Sequence, residues 1–332
     1  MKYGRSVLRV IGVLALAFLL LEAMARIGGV EPLHINEGRV RRPVQRCMEW
    51  PVAGGGSVTQ CTNALGLVGP LPGSDDRRVI ALGSSTTECP YMSEEETWPV
   101  RLQRALEARG LHVWVGNAGV SGSTAVGQAI YLEDRLLDLG PELVLFMPGA
   151  NDRRPLDPRQ DAGMLAPDRT PWHTALIRHS RMLTWLARSL TRRGVAVPQR
   201  SELDARACTD TGLNMDTHAQ LQADYRQRLM RVIDRCRMNG VGLVVITQPT
   251  GCSADAPVHA VMERYNTTVR EVAAEQRLAL VDLARAEWAR DTCFLDAIHF
   301  SAAGAARVSQ LLAPALERIL AERLTAPSAR PQ

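Results

Sequence analysis

The sequence predicts an α/β fold, a parallel sheet covered by helices on both faces. Three observations carry that reading. Five short runs rich in Val, Ile and Leu lack strict alternation, as strands covered on both sides do. Helical patterns separate the runs, and repeated strand–helix alternation builds a parallel sheet. The chain has 332 residues and is 46% hydrophobic, ample apolar material for a large core.

The elements follow in order. Lys2, Arg5 and Arg9 precede the apolar run 10–21. Basic residues before a short apolar core read as an export signal, with Ala23-Met24-Ala25 as the cleavage site. The alternative is an uncleaved signal anchor over 7–25, with Arg9 and Glu22 at its ends reaching toward the headgroups. Both readings put an N-terminal hydrophobic helix at the membrane and the body outside the cytoplasm, in a periplasm. A third reading is a buried helix of the soluble fold. Residues 26–75 are rich in Gly, Pro and Arg and read as a linker with an irregular extension. The main domain spans 76–325, and 326–332 is a tail.

Strands are expected over 78–82, 112–116, 143–147, 242–247 and 278–282. Trp98, Leu102, Ala105 and Leu106 form the stripe of the first helix, with Thr97 as cap, Pro99 in the first turn and Gly110 as stop. Further helices are expected over 129–139, 221–236, 261–274 and 301–324. Pro314 should kink the last of these or split it in two. An insertion over 153–215 holds an amphipathic stretch, 172–193. There Trp172, Leu176, Leu183 and Leu186 oppose Arg178, Arg181, Arg188, Arg192 and Arg193. It reads as a lid, as a surface for anionic lipid or polymer, or as a solvated helix packed on the domain.

Composition excludes several chemistries. The formal charge is only +4, so no nucleic-acid partner is implied. Of the 39 basic residues Lys2 is the sole lysine, which removes a P-loop lysine, a Schiff base and a Ser-Lys dyad from the folded part. The seven cysteines show no C-x-x-C spacing and the histidines no H-E-x-x-H, so no zinc site is implied. Export permits disulfides, and an odd count leaves at least one thiol unpaired within the chain. Cys47 and Cys61 flank a Gly-rich loop and are one expected pair. Cys252 and Cys293, at one edge of the fold, are another. Cys236, on an apolar helix face, is expected to be buried.

In parallel sheets, functional groups gather at the carboxyl ends of the strands. Gly83-Ser84-Ser85-Thr86-Thr87 follows the first run. A serine at a tight strand-to-helix turn presents its hydroxyl outward, although Ser and Thr are also common helix caps. Asn117-Ala118-Gly119-Val120-Ser121-Gly122 follows the second. Its glycines permit close backbone approach to a ligand, and the Gly122 N–H can face an oxyanion; the plain alternative is an ordinary turn. Gly149-Ala150-Asn151-Asp152 follows the third, and an Asn amide can donate to developing negative charge, or simply cap a helix. Asp296-Ala297-Ile298-His299 follows the fifth. A His three residues after an Asp can be held by it and serve as general base; a lone surface His is the alternative. Each segment alone is weak. Jointly, four strand ends supply nucleophile, base, orienting group and oxyanion donors, the parts of an acyl-transfer site.

These four blocks, with Glu96-Thr97-Trp98-Pro99, resemble the SGNH (GDSL-type) hydrolases, whose blocks are G-D-S, a Gly in a V-S-G-like turn, G-x-N-D and D-x-x-H. The resemblance covers about residues 77–322. Ser84 stands where the family usually has Asp, and Thr86 where it often has Leu. The resemblance implies a flavodoxin-like three-layer α/β/α sandwich. It implies Ser85 as nucleophile, His299 as its base and Asp296 orienting the imidazole. The oxyanion hole would be the Ser85 N–H, the Gly122 N–H and the Asn151 amide. The implied activity is a serine esterase acting on an ester or O-acetyl bond, with no cofactor. Two other functions fit the same residues. One is an O-acyltransferase acting on an envelope polysaccharide, the other a silent ligand-binding domain; the implied partner is an ester or acylated-glycan substrate.

Overall fold

The computed structural model describes residues 2–28, 47–51, 56–149, 151–152, 180, 182–183, 208–209 and 215–325. The chain divides into two units, 1–37 with 165–196 and 38–164 with 197–332. In the first, helix α1 runs Lys2–Ile27. Its Glu22 carboxylate accepts the Ser180 hydroxyl at 2.8 Å, the Met182 N–H at 3.0 Å and Arg26 Nε at 2.9 Å. Glu22, expected to reach toward headgroups, is engaged instead by Ser180 and Met182, and the Ser180 hydroxyl accepts the Leu183 N–H at 3.1 Å. Among the described residues no helix is long and apolar enough to cross a membrane. The amphipathic stretch 172–193 lies outside the described residues except at Ser180, Met182 and Leu183.

The second unit opens with a hairpin. Strands β1 (Cys47–Pro51) and β2 (Ser57–Cys61) pair antiparallel, with Cys47 opposite Cys61. The two cysteines form the expected disulfide. This corrects the reading of the segment as irregular. Val58 and Gln60 are less exposed than Ser57 and Thr59, so the strand carries the period-2 signature that its polar composition masks.

The main sheet contains β3 (Arg77–Gly83), β4 (Val113–Gly119), β5 (Leu143–Met147), β6 (Gly242–Ile246) and β7 (Ala279–Val281). All pair in parallel, in the order β4-β3-β5-β6-β7. That is the doubly wound order of flavodoxin-like sheets, whose topological switch point lies between the first and third strands, here β3 and β5. All five predicted strands occur within three residues of their expected limits.

Alternation sorts the side chains into two helix-covered layers. Val79, Ala81, Leu143, Leu145, Val244 and Ile246 face one side, against α3 (Trp98–Glu107) and the C-terminal helix. Ile80, Leu82, Val144, Phe146 and Val245 face the other, against α4 (Ala125–Tyr131), α5 (Met215–Met238) and α6 (Pro257–Glu275). Central strands buried on both faces read as unbroken apolar runs, which is why they were legible. The short helices α2 (Ser85–Glu88) and α7 (Arg290–Cys293) complete the set before α8 (Ala302–Thr325).

Four expectations change. Helix α8 is continuous through Pro314 rather than split. Pro314 and Gln310, whose carbonyl loses its helical donor, are both exposed, so that carbonyl is accessible to solvent. Buried Leu312, Ala313, Leu316 and Leu320 hold the helix on the sheet. Thr97 precedes α3 but makes no side-chain cap; its hydroxyl donates back to the Glu94 carbonyl at 2.8 Å. The helix expected over 129–139 begins as α4 at Ala125 and ends in a π turn, Leu132–Leu136, and a 3-10 turn, Leu137–Leu139. Finally, Cys252 is bonded to Cys208 rather than Cys293. Cys293 packs in the α3/α8 layer, whereas Cys252 lies in a separate apolar cluster with Val258, Met262, Ala297 and Ile298. The free cysteines Cys89, Cys236 and Cys293 are buried.

Strand β4 runs on to Gly119, so Asn117-Ala118-Gly119 is strand rather than loop. A Cβ on Gly119 would lie 2.1 Å from the Glu88 backbone nitrogen. The glycine therefore admits α2 itself, not a ligand. Gly119→Ala is expected to cost about 2–3 kcal/mol through this backbone overlap. Urea unfolding checks it, and a loss within 0.5 kcal/mol of zero would show that α2 can move aside.

Candidate active site

Helix α2 starts directly after β3. Ser84 is its N-cap residue and Ser85 its first helical residue. Gly83 has a tight reason of its own, since a Cβ there would meet Thr87 Oγ1 at 2.1 Å. The turn is pinned from two sides. Trp98 Nε1 donates to the Thr86 carbonyl at 3.1 Å, and Thr86 Oγ1 donates to Gln248 Oε1 at 2.8 Å. Ser84 is buried, with its hydroxyl 3.5 Å from Thr86 Oγ1. Ser85 is the serine whose Oγ meets His299 Nε2, at 2.8 Å.

The loop bearing His299 is a closed turn. Leu295 N–H donates to the His299 carbonyl at 2.8 Å, and Gly251 N–H to the Ala297 carbonyl at 2.9 Å. Phe294 and Phe300 bridge its ends, their rings 5.4 Å apart. Asp296 works in both directions. Its Oδ1 accepts the Ile298 and His299 N–H groups at 2.9 and 2.8 Å, shaping the turn. Its Oδ2 lies 2.7 Å from His299 Nδ1. Burial pushes the Asp296 carboxyl up, but the His299 side chain and these two N–H groups outweigh it and hold the carboxyl below its ordinary value. An ionised Asp296 accepts the proton on Nδ1. That tautomer leaves Nε2 with a lone pair aimed at the Ser85 hydroxyl.

The structure brings Ser85, His299 and Asp296 into one hydrogen-bonded chain. The other two predicted residues lie on loops that leave adjacent strand ends. Gly122 has φ +79°, and a Cβ there would meet nothing within 4 Å. Its backbone is therefore open on that side, in a conformation that favours glycine. Asn151 Nδ2 donates to the Ser123 carbonyl at 3.0 Å. An amide has two N–H donors, so one remains for a ligand.

Five groups around these residues carry no assigned role in the sequence alone. Glu88, buried on α2, accepts the Ser121 N–H at 2.5 Å and so ties the Gly122 turn to the helix carrying Ser85. Asp152, fully buried, accepts the Ala125 N–H at 3.1 Å and Arg228 Nη1 at 3.3 Å, fixing the loop that carries Asn151. Burial pushes its carboxyl up to about 6, against the Arg228 charge and the Ala125 and Gly149 N–H groups. Tyr91 stands edge-to-face with His299, ring centres 5.5 Å apart, and Trp50 of β1 stands edge-to-face with Tyr91 at 6.1 Å. An acidic residue inside a polar helix turn was the available signal for Glu88, and G-x-N-D carried Asp152 in plain view. Arg228 had no such mark among 38 arginines. Among the described residues no cluster of three or more His, Cys, Asp or Glu side chains could hold a metal ion.

Residues 81–307 match the family model of the GDSL-like lipase/acylhydrolases. No curated protein matches the chain. Solved structures similar to it include a lipase/acylhydrolase from Enterococcus faecalis, 19% identical, with a TM-score of 0.47 over 72% of this chain and 95% of that one. Another is the acetyl xylan esterase AlAXEase, 16% identical, TM-score 0.46, over 72% and 99%. A third is a putative lipolytic protein of the G-D-S-L family from Desulfitobacterium hafniense DCB-2, 12% identical, TM-score 0.44, over 72% and 99%. With more than half its length matched by the family model, and with the strand order and strand-end blocks described above, the chain belongs to the GDSL-like lipase/acylhydrolase family of ester-cleaving hydrolases.

Proposed function

We propose that this chain is a serine esterase that cleaves its ester through an acyl-enzyme on Ser85. The single observation behind this reading is the continuous hydrogen-bonded chain from Asp296 Oδ2 through the His299 ring to Ser85 Oγ, at 2.7 and 2.8 Å. His299 takes the Ser85 proton as Oγ bonds to the substrate carbonyl carbon. The carbonyl oxygen gains negative charge, which the Ser85 N–H, the Gly122 N–H and the second Asn151 N–H would hold. Preorganised donors of this kind are worth about 3–4 kcal/mol each in the transition state. The imidazolium then gives its proton to the leaving alcohol as the C–O bond breaks. Water repeats the cycle on the acyl-enzyme, and the proton returns to Ser85. Asp296 stays ionised throughout, keeping the imidazole in one tautomer and stabilising its charged form.

The Cys47–Cys61 and Cys208–Cys252 bonds suit an oxidising environment, and the basic residues and apolar run at the N-terminus suit export. The domain is therefore assigned to the outside of the cytoplasm.

An alkyl fluorophosphonate should label the wild-type protein and Ser84→Ala but not Ser85→Ala. Short-chain ester hydrolysis should fall on the order of 10⁴-fold in Ser85→Ala and in His299→Ala. Labelling that survives Ser85→Ala and vanishes in Ser84→Ala would reverse the assignment. No labelling of any form would leave a ligand-binding domain instead.

Asp296→Asn should lower kcat by on the order of 10²–10⁴-fold. It should also change the stability profile. The folded carboxyl titrates below its ordinary value of 3.8, so its contribution is present above pH 3.8 and disappears as pH falls through the folded value. Wild type should thus exceed the variant in melting temperature at neutral pH, with the gap closing in stronger acid. A gap independent of pH would show that the carboxylate's charge does not matter to the turn.

Protein purified without reductant from its native host should show the four paired cysteines protected from alkylation in denaturant and three thiols modified. Seven modified thiols would place the domain in a reducing compartment.

A further inference from the structure

The hairpin β1–β2 lies early in the chain, yet one face of it is laid on the reactive rim. Pairing sets Trp50 opposite Val58 and Met48 opposite Gln60. Alternation puts these four on one side, and they are less exposed than the residues between them. Gln60 is fully buried. Its Nε2 donates to the Cys89 carbonyl at 3.1 Å and to the Glu88 carbonyl at 3.3 Å. Asn117 Nδ2 shares the Glu88 carbonyl, at 3.3 Å; the shorter bond belongs to Gln60. The amide's Oε1 is buried with no hydrogen-bond partner among the described residues. A side chain needed only to fill this space would carry no such cost, so the amide serves through its donors.

The carbonyls it holds lie at a pivot. Cys89 has φ +56°, a left-handed conformation that a residue with a Cβ keeps only when its surroundings determine it. Before the pivot runs α2, one turn long, with Ser85 at its first position. After it come Pro90, whose ring fixes φ, and Tyr91, which stands edge-to-face with His299. Few soft torsions therefore separate the Cys89 peptide from either reactive group: Ser85 lies four residues before it and Tyr91 two after. Trp50, on the same hairpin face as Gln60, packs edge-to-face on Tyr91. The hairpin thus touches the helix of the nucleophile through Gln60 and the neighbour of the base through Trp50. The Cys47–Cys61 bond closes the hairpin beside Gln60. The chain beyond it is tied to the sheet by Val68, whose N–H donates to the Asn117 carbonyl at 3.2 Å. We infer that Gln60 is a positioning residue for the Ser85–His299 pair: by holding the Cys89 pivot it keeps the Ser85 Oγ aligned with His299 Nε2. This inference rests on the ester-cleaving reading of Ser85.

The test counts reactive sites and then measures turnover per site. Wild type, Gln60→Met and Gln60→Glu, as full chains, are labelled to completion with an alkyl fluorophosphonate, and hydrolysis of p-nitrophenyl acetate is followed on parallel samples. Gln60→Met keeps the side-chain length and removes the donors. Its kcat per labelled site should fall about tenfold, as a small misplacement of reacting groups causes, with KM changed by less than about twofold. A residue that only supports the fold would lower the number of labelled sites and leave turnover per site alone. Gln60→Glu replaces the donors with a carboxyl that donates only when protonated. Its kcat relative to wild type should be highest in acid and fall as pH rises through about 5 to 9, where buried carboxyls ionise, while the Gln60→Met ratio stays level. Turnover per labelled site within about twofold of wild type in Gln60→Met overturns the inference. So does a Gln60→Glu ratio as low as that of Gln60→Met at every pH. If Gln60→Met loses its melting transition, the double variant Cys47→Ser/Cys61→Ser, which frees the hairpin beside Gln60, is held to the same limit on turnover. A wild type neither labelled nor active overturns the serine-esterase reading and this one together; a labelled, active one with unresponsive variants overturns the role of Gln60 alone.

Discussion

The parallel register of β4, β3 and β5 is the constraint on which the site depends. Gly83 pairs with both Gly119 and Met147, so three chains leave the sheet level with one another. Ser85, Gly122 and Asn151 follow those three exits by two, three and four residues. Nothing in the local sequence of any one loop brings it to the others. The register does, and the core enforces the register, because a slip of one residue would turn Val79 and Ala81 into the layer built for Ile80 and Leu82. His299 comes from the far end of the chain, 214 residues from Ser85. It meets the same rim because its loop is closed on itself by Asp296 and seated on Gly251, a few residues past the end of β6.

Close approach is the second constraint, and it explains where glycine is needed. Helix α2 is only four residues long and has too few hydrogen bonds to stand alone. It is stable because it lies directly against β4, with Gly119 giving it room, and because Trp98, Gln60 and Gln248 each bond to it or to its side chains. These three partners come from three different elements. The hydroxyl of Ser85 is therefore positioned by the whole rim and by very little of its own helix.

The central strands are legible from sequence because both of their faces are buried. Doubly covered strands concentrate Val, Ile and Leu, and that signal needs no tertiary knowledge. The strand-end blocks were legible for a related reason, since the chemistry constrains residue type at a few positions on known edges. What escaped detection depends on partners far away in sequence. Gln60 looks like a polar residue in a loop until its amide is seen to cap α2. Trp50 has no periodicity of its own, because β1 pairs only with β2. Cys252 and Cys293 share an edge in topology but lie in different apolar clusters, and sequence spacing cannot show which side of a sheet edge a thiol occupies. Pro314 does not split its helix, because its cost depends on exposure: the freed Gln310 carbonyl is open to solvent, and the helix continues.

The buried charges behind the rim follow the same logic. Asp152 sits in an apolar layer that resists its ionisation, yet it meets one cation and two backbone donors there. Removing Arg228 alone would leave the buried Asp152 carboxylate without its cation, which costs more than the pair contributes, whereas Arg228 keeps a second carboxylate, Asp224 at 4.0 Å. Such a pair is weak evidence for stability but strong evidence for geometry. Asp152 accepts the Ala125 N–H, at the start of α4, and through the adjoining peptide it sets where Asn151 stands. Glu88 does the equivalent for Gly122 by gripping the Ser121 N–H. The Gly122 and Asn151 loops are thus held by buried carboxylates whose other contacts lie in the scaffold, while His299 is held by a third carboxylate, Asp296. Each carboxylate accepts backbone N–H groups whose positions the sheet and its turns determine. The placement of these three loops is in this way set by the sheet beneath them.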